Sequence, residues 1–130
     1  QTRFFWGDAE EDAGRYANVA DKAYAAVDPA SLHVLNTDDG SVGPAAVGRY
    51  LPNAFGLYDM IGNASERVAG VYSENAYSVD PQNRRLDSDA DGGQSRYCRG
   101  GSWQADVLNC RCASRWQVAS AIGLRILIEE

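Results

Sequence analysis

Asn53-Ala54-Phe55-Gly56-Leu57-Tyr58-Asp59-Met60-Ile61-Gly62-Asn63 and, further on, Arg99-Gly100-Gly101-Ser102-Trp103 are the two stretches around which the rest of the chain is read. The first lies between two turn signals, Leu51-Pro52-Asn53 and Gly62-Asn63, with few apolar residues to bury between them. The same punctuation recurs outward, at Asp39-Gly40, Gly43-Pro44 and Asp91-Gly92-Gly93. Strand-like runs are correspondingly short: Val68 to Tyr72, Tyr97 to Arg99, and Gly123 to Ile128, where Leu124, Ile126 and Ile128 alternate with Arg125 and Leu127. Upstream, the opening segment is acidic and rich in alanine, and Arg15 to Val27 is predicted to carry two or three helical turns before Asp28-Pro29 stops them. Residues 80–96 read as a long surface loop. So much irregular backbone in a small domain calls for extra pins, such as disulfides, ions or a partner.

The chain has 130 residues, 45% of them apolar or aromatic and 23% charged, a globular composition with room for one domain. Nothing approaches the roughly 20 consecutive apolar residues of a membrane span. Eighteen acids against 12 bases give a net charge of −6, and the bases are scattered among the acids, so no nucleic-acid partner is expected. The single histidine, His33, excludes any site in this chain that needs two imidazoles and reads as a surface or turn residue. Three cysteines, Cys98, Cys110 and Cys112, leave two arrangements open. One is a disulfide, with Cys98 and Cys110 as a pair, beside a free thiol; the other is three buried thiols.

Taken in order, Phe5-Trp6-Gly7-Asp8, Ala17-Asn18-Val19-Ala20-Asp21, Asn53 to Asn63, Arg99 to Trp103, Cys110-Arg111-Cys112-Ala113-Ser114-Arg115 and Gly123-Leu124-Arg125 resemble the formylglycine-generating enzyme (sulfatase-modifying factor) family. The resemblance covers about residues 4–127, and the segments around Gly56 to Asn63 and Arg99 to Trp103 carry most of it. It implies an α+β fold that is irregular, loop-rich and C-type-lectin-like, with short antiparallel strands. Family domains begin well upstream of Trp6-Gly7-Asp8. Residues 1–130 are therefore expected to be the C-terminal part of a single domain, completed by a preceding segment or a protein partner.

The resemblance also implies two structural calcium sites. One takes the side chains of Asn18 and Asp39 with the carbonyls of Val19 and Ser41. The other takes the side chains of Asp59 and Glu66 with the carbonyls of Gly62 and Ala64. Calcium wants about six to eight oxygens, and both sets keep oxygen ligands. The plainer alternative makes Asp39-Gly40 an ordinary turn and Asn63 a turn or cap residue. Asp87-Ser88-Asp89-Ala90-Asp91-Gly92 copies the start of an EF-hand loop but puts Cys98 where the bidentate glutamate belongs, so it reads as a solvated acidic loop.

Active members of the family oxidise a substrate cysteine to formylglycine with copper held by two thiolates, soft ligands suited to Cu(I). Cys112-Ala113-Ser114-Arg115 matches the segment of the second thiolate, but the family spacing puts the first at Val107, beside Leu108, and neither binds copper. Cys110 is the remaining candidate, on the same face as Cys112 if the segment is extended. The aromatic pair that flanks the family's glutamate after Gly-Asn is also gone, replaced in Ser65-Glu66-Arg67. The expected function is a non-catalytic, calcium-stabilised binding or structural subunit in an extracytoplasmic setting, presenting Ser102 to Ala121 as its binding surface. The alternative is a copper-dependent oxidase that activates sulfatases, with Cys112 and Cys110 as catalytic thiolates. A sulfur-inserting non-heme iron enzyme is a third reading, its histidines coming from the absent part. Arg99, Arg115 and Arg125 read as forks bonding carbonyls or carboxylates, and Trp6, Trp103 and Trp116 as core or interface anchors.

Overall fold

The structure is a computed structural model and describes residues 2–31, 34–71, 96–117 and 122–126. The helical part comprises a 3-10 turn at Glu10–Asp12, α1 at Ala13–Tyr16 and α2 at Lys22–Ala25. The two or three helical turns predicted over Arg15 to Val27 are thus divided between two short helices, and the cause is tertiary. Ala17 is extended (φ −152°, ψ 148°), and the next three residues spend their backbone groups on distant parts of the chain. The Asn18 carbonyl accepts from the Asn63 N–H at 2.7 Å, and the Ala20 N–H donates to the Ala105 carbonyl at 3.0 Å. The Val19 N–H donates to Asp39 Oδ2 at 3.1 Å. Asp21 then restarts the helix as an N-cap, its carboxylate accepting from the Ala23 and Tyr24 N–H groups. Tertiary bonds have overridden the helix propensity of an alanine-rich run.

The sheet has the order β2-β1-β3, with β1 at Ser65–Val71, β2 at Arg96–Arg99 and β3 at Ile122–Gly123. β1 and β2 are antiparallel, pairing Glu66 with Arg99 and Arg67 with Cys98, with an irregularity between Arg67 and Val71. β3 departs from the all-antiparallel expectation: it runs parallel to β1, pairing Ser65 with Ile122 and Glu66 with Gly123. The chain leaves β2 through the Gly100-Gly101 turn and a second 3-10 turn at Val107–Cys110, then returns on the far side of β1. Such a crossover allows a parallel pairing. The strand predicted over Gly123 to Ile128 is short because Leu124 to Ile126 leave the ladder. Tyr72, Leu127, Ile128, His33, the acidic loop with Asp87 to Gly92, and residues 118–121 lie outside the described residues.

Phe4, Ala13, Ala17, Val19, Ile61, Val107 and Cys110 form the core, with Phe5, Trp6, Leu35 and Ala105 against it. Burying a side chain such as Phe4 or Val107 stabilises by about 1.5–3 kcal/mol. Trp6 stacks between Phe4 and Tyr16, with centroids 4.7 and 5.3 Å away. Trp103 meets the Tyr24 ring edge-on at 5.4 Å. Arg99 is a fork as expected, donating to the Cys112 and Ser114 carbonyls at 3.1 and 3.2 Å, whereas Arg115 donates to the Tyr97 hydroxyl at 3.1 Å.

Candidate functional site

The turn from Asp59 to Asn63 concentrates left-handed backbone: Asp59 at φ 55°, Gly62 at 77° and Asn63 at 60°. Non-glycine residues in that region are uncommon and cluster at functional sites. Gly62 packs so closely on the Asn18 backbone that a Cβ there would collide with the Asn18 carbonyl. Asn63 completes the contact. Its Oδ1 accepts from the Ala45 N–H at 2.8 Å and from Asn18 Nδ2 at 3.2 Å, and its Nδ2 donates to the Ala45 carbonyl at 3.1 Å. One turn therefore brings both predicted calcium sets into contact.

In the first set, Asn18 is 1% exposed. Its Nδ2 also donates to the Gly43 carbonyl at 2.9 Å, while its Oδ1 is buried with no hydrogen-bond partner. Asp39 is also buried, accepting from the Val19 N–H on one oxygen and from the Ser41 N–H at 2.8 Å on the other. Asp21 lies beside it and accepts from the Asp39 N–H at 2.5 Å. Burial, and then the Asp21 carboxylate, push Asp39 up to about 6, against the opposing N–H bonds and the Arg49 guanidinium. Arg49 itself bonds Ser41 Oγ at 2.7 Å. A buried carboxylate, a second carboxylate and an orphaned amide oxygen make a place short of positive charge, and the donor set fits a hard cation. Asp21 and Arg49 were missed in the sequence; an N-cap aspartate before Lys22-Ala23-Tyr24 was the available signal for Asp21.

The second set faces a cleft of about 310 Å³ lined by Asp59, Asn63, Ala64, Glu66 and Arg125 together with apolar residues. Gly62 does not line it, but Asn63, which carries the other half of the Gly62 peptide, does. Asp59 Oδ2 accepts from the Gly48 N–H at 2.7 Å, and its Oδ1 is buried without a partner. Glu66 accepts from Arg125 Nε at 2.9 and 2.8 Å, while Arg125 Nη2 reaches the Tyr58 carbonyl at 2.8 Å. A carboxylate offers about four lone-pair sites, so Glu66 retains capacity for a cation beside its arginine. Among the described residues no three His, Cys, Asp or Glu side chains cluster as a metal site. Each calcium set needs only two side chains, the remaining oxygens being carbonyls.

The thiols are arranged otherwise. Cys98, Cys110 and Cys112 are all free, so the expected disulfide does not form. Cys98 instead bridges through its backbone to Trp116, at 2.7 and 3.0 Å. Cys110 is fully buried, its thiol donating to the Asp106 carbonyl at 3.4 Å and filling the space above Gly101, where a Cβ would collide with it. Burial, with the Asp106 charge second, pushes that thiol up to about 12. Cys112 is exposed. Val107, where the family spacing requires a thiolate, is 1% exposed in the core. This thiol pair does not fit a copper centre.

A family profile described as "Sulfatase-modifying factor enzyme 1-like domain" matches residues 1–129. The formylglycine-generating enzyme of Bos taurus is 30% identical over 138 aligned residues, covering 96% of this chain and 33% of that protein. Among solved structures, PvdO from Pseudomonas aeruginosa superposes with a TM-score of 0.59 at 25% identity, covering 85% of this chain and 38% of that one. Treponema denticola variable protein 1 superposes with a TM-score of 0.60 at 19% identity, over 91% of this chain and 37% of that one, a likeness of fold. The chain spans about a third of the length of the curated relatives it matches. With an α+β, loop-rich fold shared with these structures and a profile match along nearly its whole length, the chain belongs to the sulfatase-modifying factor enzyme 1-like domain family.

Proposed function

We propose that the chain is a non-catalytic, calcium-stabilised binding or structural module of its family, completed by a protein partner or a further segment and acting outside the cytoplasm. The carrying observation is Cys110. Its thiol is packed as core volume against Gly101 and pushed up to about 12, while Val107 occupies the position of the first thiolate. Calcium at Asn18, Val19, Asp39 and Ser41, and at Asp59, Gly62, Ala64 and Glu66, is supported by Asn18 Oδ1 and Asp59 Oδ1, two of the three buried side-chain oxygens without a partner among the described residues, the third being Thr37 Oγ1. Each ion would be structural, holding loops that have few ladder hydrogen bonds of their own. The need for a covering polypeptide is supported by Val47, Phe55, Leu124 and Ile126, each at least 74% exposed. No helix among the described residues is long and apolar enough to cross a membrane.

The test is a Cu(I) titration with thiol counting on the native protein. The module reading expects no stoichiometric copper and one accessible thiol. Tight copper held by two thiolates would overturn it. A second reading, the copper-dependent oxidase acting on a substrate cysteine, draws on exposed Cys112 and on relatives named formylglycine-generating enzyme. It expects Cys112→Ala to abolish oxidation of a cysteine-containing peptide.

A further inference from the structure

The peptide joining Gly62 to Asn63 has its carbonyl in one calcium set and its N–H bonded to a residue of the other. Its carbonyl belongs to the second set, and its N–H donates to the Asn18 carbonyl at 2.7 Å. The peptide joining Asn18 to Val19 repeats the arrangement: that same carbonyl accepts, and its N–H donates to Asp39 Oδ2 at 3.1 Å. Two peptide planes and two hydrogen bonds thus run from a ligand of one set to a ligand of the other. A side-chain brace runs beside them. Asn63 Oδ1 accepts from Asn18 Nδ2 at 3.2 Å, so the amide that aims the orphaned Asn18 Oδ1 is held by the residue that directly follows Gly62 of the second set. Asn63 is fixed in turn by both of its bonds to Ala45.

Resting on the calcium reading above, we infer that the two calcium sites are coupled through Asn63 and these two peptides, so that filling either site raises the affinity of the other. The sign follows from what both sites require. Asp59 and Asn63 are non-glycine residues in left-handed backbone, a conformation that has to be held by the surrounding structure. The second set needs that turn to direct its ligands, and the first needs it to aim the Asn18 amide. The first ion to bind offsets the ordering of the shared turn, and the second finds it ordered. Chained hydrogen bonds that polarise one another strengthen the link. Asn63 is a positioning residue, touching neither ion.

Calorimetric titration with calcium alone, on protein stripped with a chelator, tests this. Two ions are expected, with a binding curve steeper than that of independent sites. Glu66→Gln should bind one ion about fivefold more weakly than the wild-type midpoint, although Glu66 has no part in the site that remains. Asn63→Gly tolerates the left-handed backbone and lacks the brace. It should still bind two ions, with the cooperativity reduced but not abolished, because both peptide links remain. Should Asn63→Gly fail to fold, the Glu66→Gln titration decides alone. Two independent wild-type sites, with the remaining affinity in Glu66→Gln unchanged, would overturn the coupling and leave the calcium reading standing. One ion bound by the wild type would overturn the coupling as well. No ion bound would overturn the calcium reading and the coupling together.

Discussion

Cys110 and Gly101 occupy one volume between them, and this pair separates a structural thiol from a reactive one. The sulfur sits where a Cβ on residue 101 would be, and Gly101 is held at φ 72°. With its thiol pushed up to about 12, Cys110 should stay unlabelled by a disulfide reagent at pH 8, while Cys112 reacts at once. Equal labelling of both in the folded protein would show that Cys110 is not buried. The same shift has a consequence for stability. A thiol raised from 9.0 in the unfolded chain binds its proton more tightly when folded. Its contribution is complete below pH 9 and is lost as pH climbs from 9 toward 12. Urea melts across that range should lose stability, and Cys110→Ala should flatten the dependence. At Gly62, φ 77° and contact with the Asn18 carbonyl leave no space for a methyl group. Gly62→Ala should cost at least about 2 kcal/mol in urea unfolding, from left-handed strain plus displaced backbone.

The elements show which features a linear pattern can announce. β1 and β2 were legible to within a few residues, because alternation and β-branched residues are local signals. The break between α1 and α2 was not. Its causes are bonds from Asp39, twenty residues on, and from Asn63, forty-five residues on. The parallel course of β3 was equally silent, being fixed by where a crossover returns and not by its own two residues. The arginine forks were legible as a chemical type, whereas the pairing of Arg125 with Glu66 across 59 residues was not. Asp21 is where an element and the site meet. It caps α2 through Ala23 and Tyr24 and also holds the Asp39 N–H. Asp21→Ala should therefore cost more than an ordinary cap. About 1 kcal/mol comes from the helix start, and about 1–3 more from an N–H left buried without a partner. A loss below about 1 kcal/mol in chemical denaturation would show that the Asp39 N–H finds another acceptor.

At the scale of the molecule, the described residues hold a large share of loop with few hydrogen-bonded ladders and a small core. The described strands and helices are at most seven residues long, while both predicted cation sets sit where loops bearing Asn18, Asp39 and Asp59 meet the start of β1 at Glu66. On the proposed reading, an ion there would do the work of missing ladders, since it would bind the folded state and find no assembled site in the unfolded chain. Ligand linkage gives the scale: calcium at about 100 times its dissociation constant adds about 2.7 kcal/mol for each site. A domain of this size converts about 1 kcal/mol into a few degrees of melting temperature. Chelation should therefore lower the melting temperature by roughly 10 °C or more, and calcium should restore it. Magnesium should restore it poorly, because it demands a small octahedral shell and sheds water reluctantly. Asp39→Asn and Asp59→Asn should each remove part of the calcium-dependent rise, since each leaves only one charged set intact. An unchanged melting temperature under chelation would mean that Asn18 Oδ1 and Asp59 Oδ1 are satisfied by something other than a cation, and the exposed apolar surface at Val47, Phe55 and Leu124 would then be the first place to look for what covers them.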